Sequence, residues 1–286
     1  MTADLRDRIT DQFSGRGDRA DIWRVFDWFL ETDAYLNLGY SPRYLPHLVG
    51  SSQRRLATLV GETLAAALDA TTGVGLLDVG CGRGGPAHHL ASRFGFSVVG
   101  IDLVATNVAR AREHGTDAEY VVGDATHLPF RDGAFRACTA IDAVVYLPDR
   151  TPVFTAVADV LEPGGTFVFS DLLWRADSDV SREAITAFAD AWDMPTPGTR
   201  ADYRRALDAA GFEAVRTTDL TPHSVGRFRR WTTLYRRVAA TPLRAVLAWW
   251  LTRQGVDPDA IETQIARAHA ALPALEHVLV VAHTPT

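Results

Sequence analysis

The chain has 286 residues, 47% of them hydrophobic, and a formal net charge of −6 from 29 basic and 35 acidic side chains. That length buries a sizeable core, and the acidic balance excludes a general nucleic-acid-binding surface. The two cysteines have neither the spacing of a disulfide framework nor that of a metal site, and the charged start at Met1–Thr10, with no apolar run near the roughly 18 residues of a membrane span, predicts a cytoplasmic protein without stable membrane insertion.

Residues 1–70 read as an N-terminal helical segment, with Ile22, Val25, Phe26, Phe29 and Leu30 on one stripe. Inside it, the stretch Tyr35-Leu36-Asn37-Leu38-Gly39-Tyr40-Ser41-Pro42 is too polar and too broken to continue a helix. An apolar run then predicts a strand over 75–79, which ends in Gly80-Cys81-Gly82-Arg83-Gly84-Gly85-Pro86 and a helix over 86–94. Alternating glycines can take positive φ and admit a ligand against bare backbone, and a proline in the first helical turn gives up only an amide that would be unpaired anyway.

A second strand, 97–102, closes on Asp102, and the pattern predicts a helix over 105–114, with Asn107 near its start. In an open parallel sheet, ligands sit beyond the carboxyl ends of the strands. An acid ending the second strand can accept both hydrogens of a ribose diol, or it can simply cap the next helix. Strand 119–122 closes on Gly123-Asp124-Ala125 and strand 135–141 on Ile141-Asp142. Further along lie a helix at 151–161, a strand at 165–172 that contains Asp171, an excursion at 175–194, a helix at 200–210, a strand at 213–220 and a last strand at 277–283. Gly95, Gly115 and Gly211 mark helix exits. This alternation makes a mainly parallel α/β sheet covered on both faces.

Residues 223–275 form a helical insertion that this sheet does not require. It is rich in large apolar groups, including Trp231, Tyr235, Trp249 and Trp250, interleaved with Arg227, Arg229, Arg230, Arg236 and Arg237. It reads either as a lid over a hydrophobic ligand or as an interface that covers the sheet edge or dimerises. The predicted units are therefore 1–70, a core at 71–222, the insertion at 223–275 and a final core strand within 276–286.

The ordered set Asp78-Val79-Gly80-Cys81-Gly82-Arg83-Gly84, Asp102, Gly123-Asp124-Ala125-Thr126-His127-Leu128-Pro129-Phe130 and Leu161-Glu162-Pro163-Gly164-Gly165 resembles the class I S-adenosylmethionine-dependent methyltransferases. The nearest flavour is the small-molecule branch of ubiquinone, sterol and natural-product enzymes, and the resemblance covers about residues 35–222 and 277–283. It implies a Rossmann-like, seven-stranded, mainly parallel sheet whose last strand runs antiparallel between its neighbours, with S-adenosyl-L-methionine as cofactor. By the same resemblance Gly80, Gly82 and the loop amides hold the methionine end and Asp102 the ribose, with Asp78, Cys81, Gly84, Leu103 and Asn107 as further cofactor contacts. Gly123, Asp124 and Ala125 hold the adenine edge, with Ile141 and Asp142 beside the cofactor and Tyr40 near its carboxylate.

Transfer from a sulfonium is an in-line displacement that depends largely on proximity and needs a base only where the acceptor must lose a proton. Relatives often carry a histidine just before a Pro-Asp pair after the fourth strand, whereas this chain has Tyr146 there. Tyr146, Asp142, Asp171 and His223 are the candidates for orienting the acceptor or taking its proton; Asp142 could equally contact the cofactor, Asp171 cap and His223 lie on the surface. His47, His88, His89 and His127 have no recurring ligand spacing, so no metal site is predicted. The expected acceptor is a small, largely apolar metabolite methylated on oxygen or carbon, with no nucleic-acid partner and with a homodimer left open. A nicotinamide-dependent oxidoreductase and a non-catalytic S-adenosylmethionine-binding protein are the alternatives.

Overall fold

Short β-branched and apolar runs, each stopped by a glycine or an acid, build the centre of the sheet. The computed structural model describes residues 3–14, 33–42, 50–115 and 117–286. Its seven strands are β1 (Gly75–Val79), β2 (Ser97–Asp102), β3 (Ala118–Val122), β4 (Phe135–Ile141), β5 (Leu161–Trp174), β6 (Glu213–Asp219) and β7 (Leu275–His283). They lie in the order β3-β2-β1-β4-β5-β7-β6. The first five pair in parallel, and β7 runs antiparallel to both β5 and β6. The order reverses beside β1, and a crevice opens at that switch point above the strand ends.

The predicted strands all form, with three that begin earlier, β3 by a single residue at Ala118. β5 starts at Leu161 rather than 165 because Leu161 pairs with Phe135 before the register shifts. β7 starts at Leu275, where it faces Trp174.

The described helices are α1 (Ala3–Ser14), α2 (Gly50–Ala67), α3 (Gly85–Phe94), α4 (Ala105–Glu113), α5 (Thr151–Val160), α6 (Arg182–Ala191), α7 (Arg200–Ala209), α8 (Val225–Ala239), α9 (Leu243–Arg253) and α10 (Pro258–Ala271). The predicted stripe from Ile22 to Leu30, and His47, lie outside the described residues.

Alternation along the strands sends side chains to two cores. On one face Phe154 of α5 and Tyr203 of α7 pack on Phe167 and Phe169 of β5, with ring centroids 4.8–6.2 Å apart. On the other face Leu56 and Leu64 of α2 and Leu90 of α3 cover Leu76, Val98 and Val168. Each such fully buried apolar side chain contributes roughly 1.5–3 kcal/mol. A third cluster joins α6 to the insertion through Ile185, Phe188, Val225, Leu272 and Leu275, and this attachment places α8 and α10 above the strand ends rather than at the sheet edge.

Candidate active site

The glycine loop forms because its backbone has no room for side chains. Gly80 and Gly82 hold φ of +70° and +54°, and a Cβ on Gly80 would stand 2.5 Å from the Ala143 Cβ. The amides of Gly80 and Cys81 donate to the Ile101 carbonyl at 2.8 and 3.1 Å, tying the loop to β2. Asp102 fastens it from the other side: its carboxylate accepts from Gly82 N at 2.9 Å, Val104 N at 2.9 Å and the Asn107 amide at 3.4 Å.

Above this loop lies a cavity of about 990 Å³, counting the part open to solvent. Asp78, Gly80, Cys81, Gly82, Asp102, Leu103, Asn107, Gly123, Asp124, Ala125, Ile141, Asp142 and Tyr146 all line it. The structure thus brings together nearly every residue singled out for the cofactor.

Four of the proposed positions need correction. Gly84 lies outside the cavity; it caps α3 at φ +83°, and a Cβ there would meet the Tyr120 hydroxyl and the Ala111 Cβ at 2.8 Å. Its role is close helix-to-sheet packing. Tyr40 packs edge-on against His223, at 5.7 Å between centroids, and neither residue lines this cavity or the second one that adjoins it. Instead, the His223 carbonyl accepts from Ser41 N at 3.0 Å and anchors the segment. Asp171 points to the opposite face of β5, the same face as Phe169, where the Tyr203 hydroxyl donates to it at 2.6 Å. Burial pushes its carboxyl up to about 7, against the pull of that hydrogen bond. Tyr203→Phe should therefore lower thermal stability by roughly 1–3 kcal/mol, the cost of an unpaired buried acceptor, with cofactor affinity unchanged. A folded variant that keeps cofactor affinity but loses methyl transfer would return Asp171 to the acceptor site.

Residues 33–42 form a strap across the opening. Gln53 Nε2 donates to the carbonyls of Tyr35 and Asn37 at 3.0 and 2.8 Å, Gly85 N donates to Ala34 O at 2.9 Å, and Leu38 N donates to Asp142 Oδ2 at 2.7 Å. Leu36 and Asn37, rather than Tyr40, are the strap's contribution to the cavity. Ile9 and Phe13 of α1 close the same cavity from outside, with the Phe13 ring edge-on to Tyr146 at 5.0 Å. Arg6 of α1 donates to Asp124 at 3.0 Å. Sequence alone gave no cue to these two helix residues, because nothing in α1 distinguishes a wall from an ordinary amphipathic face.

A second cavity, about 970 Å³ on the same measure, adjoins the first and shares Leu36, Asn37, Asp142 and Tyr146 with it. Leu172, Phe188, Trp192 and Met194 wall one side, and Phe228 and Thr232 of α8 with Leu272 wall the other. The insertion therefore does cover a cavity, but with Phe228 and Thr232. Trp231, Tyr235, Trp249 and Trp250 line neither of the two adjoining cavities.

Asp142 stands at the junction in a left-handed conformation, φ +54°. Its carboxylate accepts from Ser170 Oγ at 2.5 Å and pairs with His277 Nε2 at 2.8 Å, besides Leu38 N. Burial pushes this carboxyl upward, but His277, Ser170 and the Leu38 amide outweigh it and hold it below the ordinary value. Burial raises the Tyr146 hydroxyl, as do the nearby carboxylates, so it stays protonated at neutral pH and is suited to donating a hydrogen bond rather than to taking a proton.

The residues present fit the cofactor that the resemblance implies. Buried polar atoms without partners face the cavity at one end: both amide atoms of Asn37 and Oδ2 of Asp78. They suit an ammonium and a carboxylate, while Asp102 suits a diol and the wall of Ile101, Leu103, Val104 and Leu147 suits a flat base.

Burial, and then the neighbouring Asp102, pushes Asp78 from 3.8 to about 8. The folded protein thus keeps a proton that the unfolded chain releases, so stability falls as pH rises from about 4 to 8. An ammonium beside Asp78 favours the ionised form, so cofactor binding near pH 7 should release a proton, and Asp78→Asn should abolish the release. Calorimetry in two buffers of different ionisation enthalpy measures it.

Residues 77–169 match the family described as "Methyltransferase domain". The chain is 34% identical over 202 residues to 24-methylenesterol C-methyltransferase 2 of Oryza sativa subsp. japonica, a match that takes in 67% of this chain and 56% of that protein. It is 30% identical over 167 residues to methyltransferase GfsG of Streptomyces halstedii, covering 56% of this chain and 60% of that one. The chain thus spans less than two thirds of these relatives. Among solved structures, geranyl diphosphate C-methyltransferase from Streptomyces coelicolor A3(2) shares the fold with a TM-score of 0.69 at 18% identity, covering 98% of this chain and 97% of that one. The [4+2]-cyclase SpnF also shares it, with a TM-score of 0.69 at 21% identity and 97% of each chain covered. The strand order with its antiparallel β7, the glycine loop against Asp102 and these matches together give the chain the class I methyltransferase Rossmann-like fold, with a methyltransferase-domain match over residues 77–169.

Proposed function

We propose that the protein transfers a methyl group from S-adenosylmethionine to a small, uncharged and largely apolar metabolite, on an oxygen or a carbon atom. The observation that carries this reading is the second cavity, which opens onto the first through Asp142 and Tyr146 and whose described walls are otherwise apolar or neutral. Asp142 is the one charged side chain among those described walls, so nothing there would compensate an anionic acceptor such as a diphosphate. Relatedness to a sterol C-methyltransferase agrees with an apolar acceptor.

When bound, the cofactor supplies a methyl group on a sulfonium, ready for in-line displacement. The residues of this chain do the positioning. The glycine loop and Asp102 fix one end, and Leu36 and Asn37 close the strap over it. The Tyr146 hydroxyl offers a hydrogen bond at the junction. Asp142, its oxygens already shared among three donors and its carboxyl held low, is poorly placed to take a proton. Rate then comes from proximity and from exclusion of water by the strap and by residues 223–275, which we read as a lid.

Incubation with methyl-labelled cofactor and a panel of phenols, quinols and isoprenoid alkenes tests the reading. Label should appear in an organic-soluble product, and Phe228→Trp should suppress it while cofactor affinity stays the same. Cofactor binding with no transfer to any apolar acceptor would favour the non-catalytic binding alternative.

A further inference from the structure

The outer side of the insertion has a composition unlike the rest of the molecule. Residues 225–253, which span α8 and α9, carry seven arginines and no acidic residue, leaving 22 basic against 35 acidic residues elsewhere. The same two helices hold six of the seven large hydrophobic side chains that stand exposed among the described residues: Trp231, Leu234, Leu243, Val246, Trp249 and Trp250. Val246 is 60% and Trp249 57% exposed. Arg229, Arg230, Arg236 and Arg237 are exposed on α8 beside them. Arg244 is paired with Glu262 at 3.1 Å, and Arg253 lies over the Trp249 ring at 5.0 Å.

Tryptophan and leucine exposed amid arginines make up the composition of a helix that lies in a lipid interface, where indoles sit at headgroup depth and guanidinium groups pair with phosphates. Neither helix is long and apolar enough to cross a bilayer, so contact would be peripheral. A second copy of the chain fits the surface poorly, because a twofold contact would bring the arginine-rich face of one protomer against its own equivalent.

We propose that α8 and α9 dock the protein on an anionic membrane surface. The inner side of α8 supports this placement, since Phe228 and Thr232 wall the second cavity while Trp231 and Leu234 face outward. Docking would bring that cavity next to the phase in which an apolar molecule dissolves.

The test is flotation of the whole protein with vesicles of phosphatidylcholine alone and of equimolar phosphatidylcholine and phosphatidylglycerol. Binding should occur to the anionic vesicles only and should fall as salt is added. Two variants separate the contributions: W249A combined with W250A, and R229Q, R230Q, R236Q and R237Q together. Each should weaken partitioning about tenfold or more, with thermal midpoint and S-adenosylhomocysteine affinity unchanged. The proposal is overturned by failure to bind anionic vesicles, by binding that both variants leave intact, or by a dimer that both variants dissociate and that does not bind vesicles. None of these outcomes depends on methyl transfer, so the membrane proposal and the reaction stand or fall separately.

Discussion

Replacing Asp102 by alanine should weaken S-adenosylmethionine binding by roughly 1.5–3 kcal/mol, the scale of hydrogen bonds to a charged acceptor. Two losses add up in this variant. The ribose loses its acceptor, and Gly82 N and Val104 N, now 2.9 Å from the carboxylate, lose theirs, so the loop is freed as well. Because Asp102 stands at the rim of the sheet and the loop keeps its bonds to Ile101, the thermal midpoint should change much less than the affinity. Titration calorimetry on the folded variant gives the number, and unchanged affinity would remove Asp102 from the site.

The second large effect belongs to Asp142. Substitution by alanine leaves Nε2 of the fully buried His277 without its partner, in addition to an Nδ1 that already has none. It also puts a residue less tolerant of left-handed backbone at φ +54°. Stability should drop by roughly 2–4 kcal/mol, and hydrogen exchange of the 33–42 strap should quicken because Leu38 N is released. Asp142→Asn keeps an acceptor for His277 and tolerates the backbone. It should fold, yet still loosen the strap, and equal protection of the strap in both variants and wild type would refute the tether. The carboxyl is held below its ordinary 3.8 in the folded protein. Its contribution is therefore present above about pH 4 and is lost as pH falls through the lower folded value.

The fold was legible because its signals are local. The strands β1 to β4 each announce themselves as an apolar run with a glycine or acid at its end, and the set Gly80, Gly82, Asp102 and Asp124 falls on one rim once the strands are parallel. The roles of Asp171 and Tyr40 were not legible. Asp171 is one residue from Ser170, and a single step along a strand moves a side chain to the other face. Strand phase in a fully buried run such as Thr166–Asp171 has no alternation of exposure to reveal it. His277 was hidden for a different reason, since its partner Asp142 is 135 positions away. The four large aromatics of the insertion did not decide between lid and interface, because size and apolarity identify a helix face that covers something without saying what. The smaller face with Phe228 and Thr232 covers the cavity, while Trp249 remains exposed.

The most direct measurement is calorimetric titration of the intact protein with S-adenosylmethionine, S-adenosylhomocysteine and NAD under one set of conditions. The glycine loop with Asp102, which suits a diol, and the unpartnered side-chain amide of Asn37 and Oδ2 of Asp78, which suit an amino acid, predict that both sulfur-containing ligands bind with one-to-one stoichiometry and that NAD does not. Saturable NAD binding with no heat from either S-adenosyl ligand would contradict the account at its root.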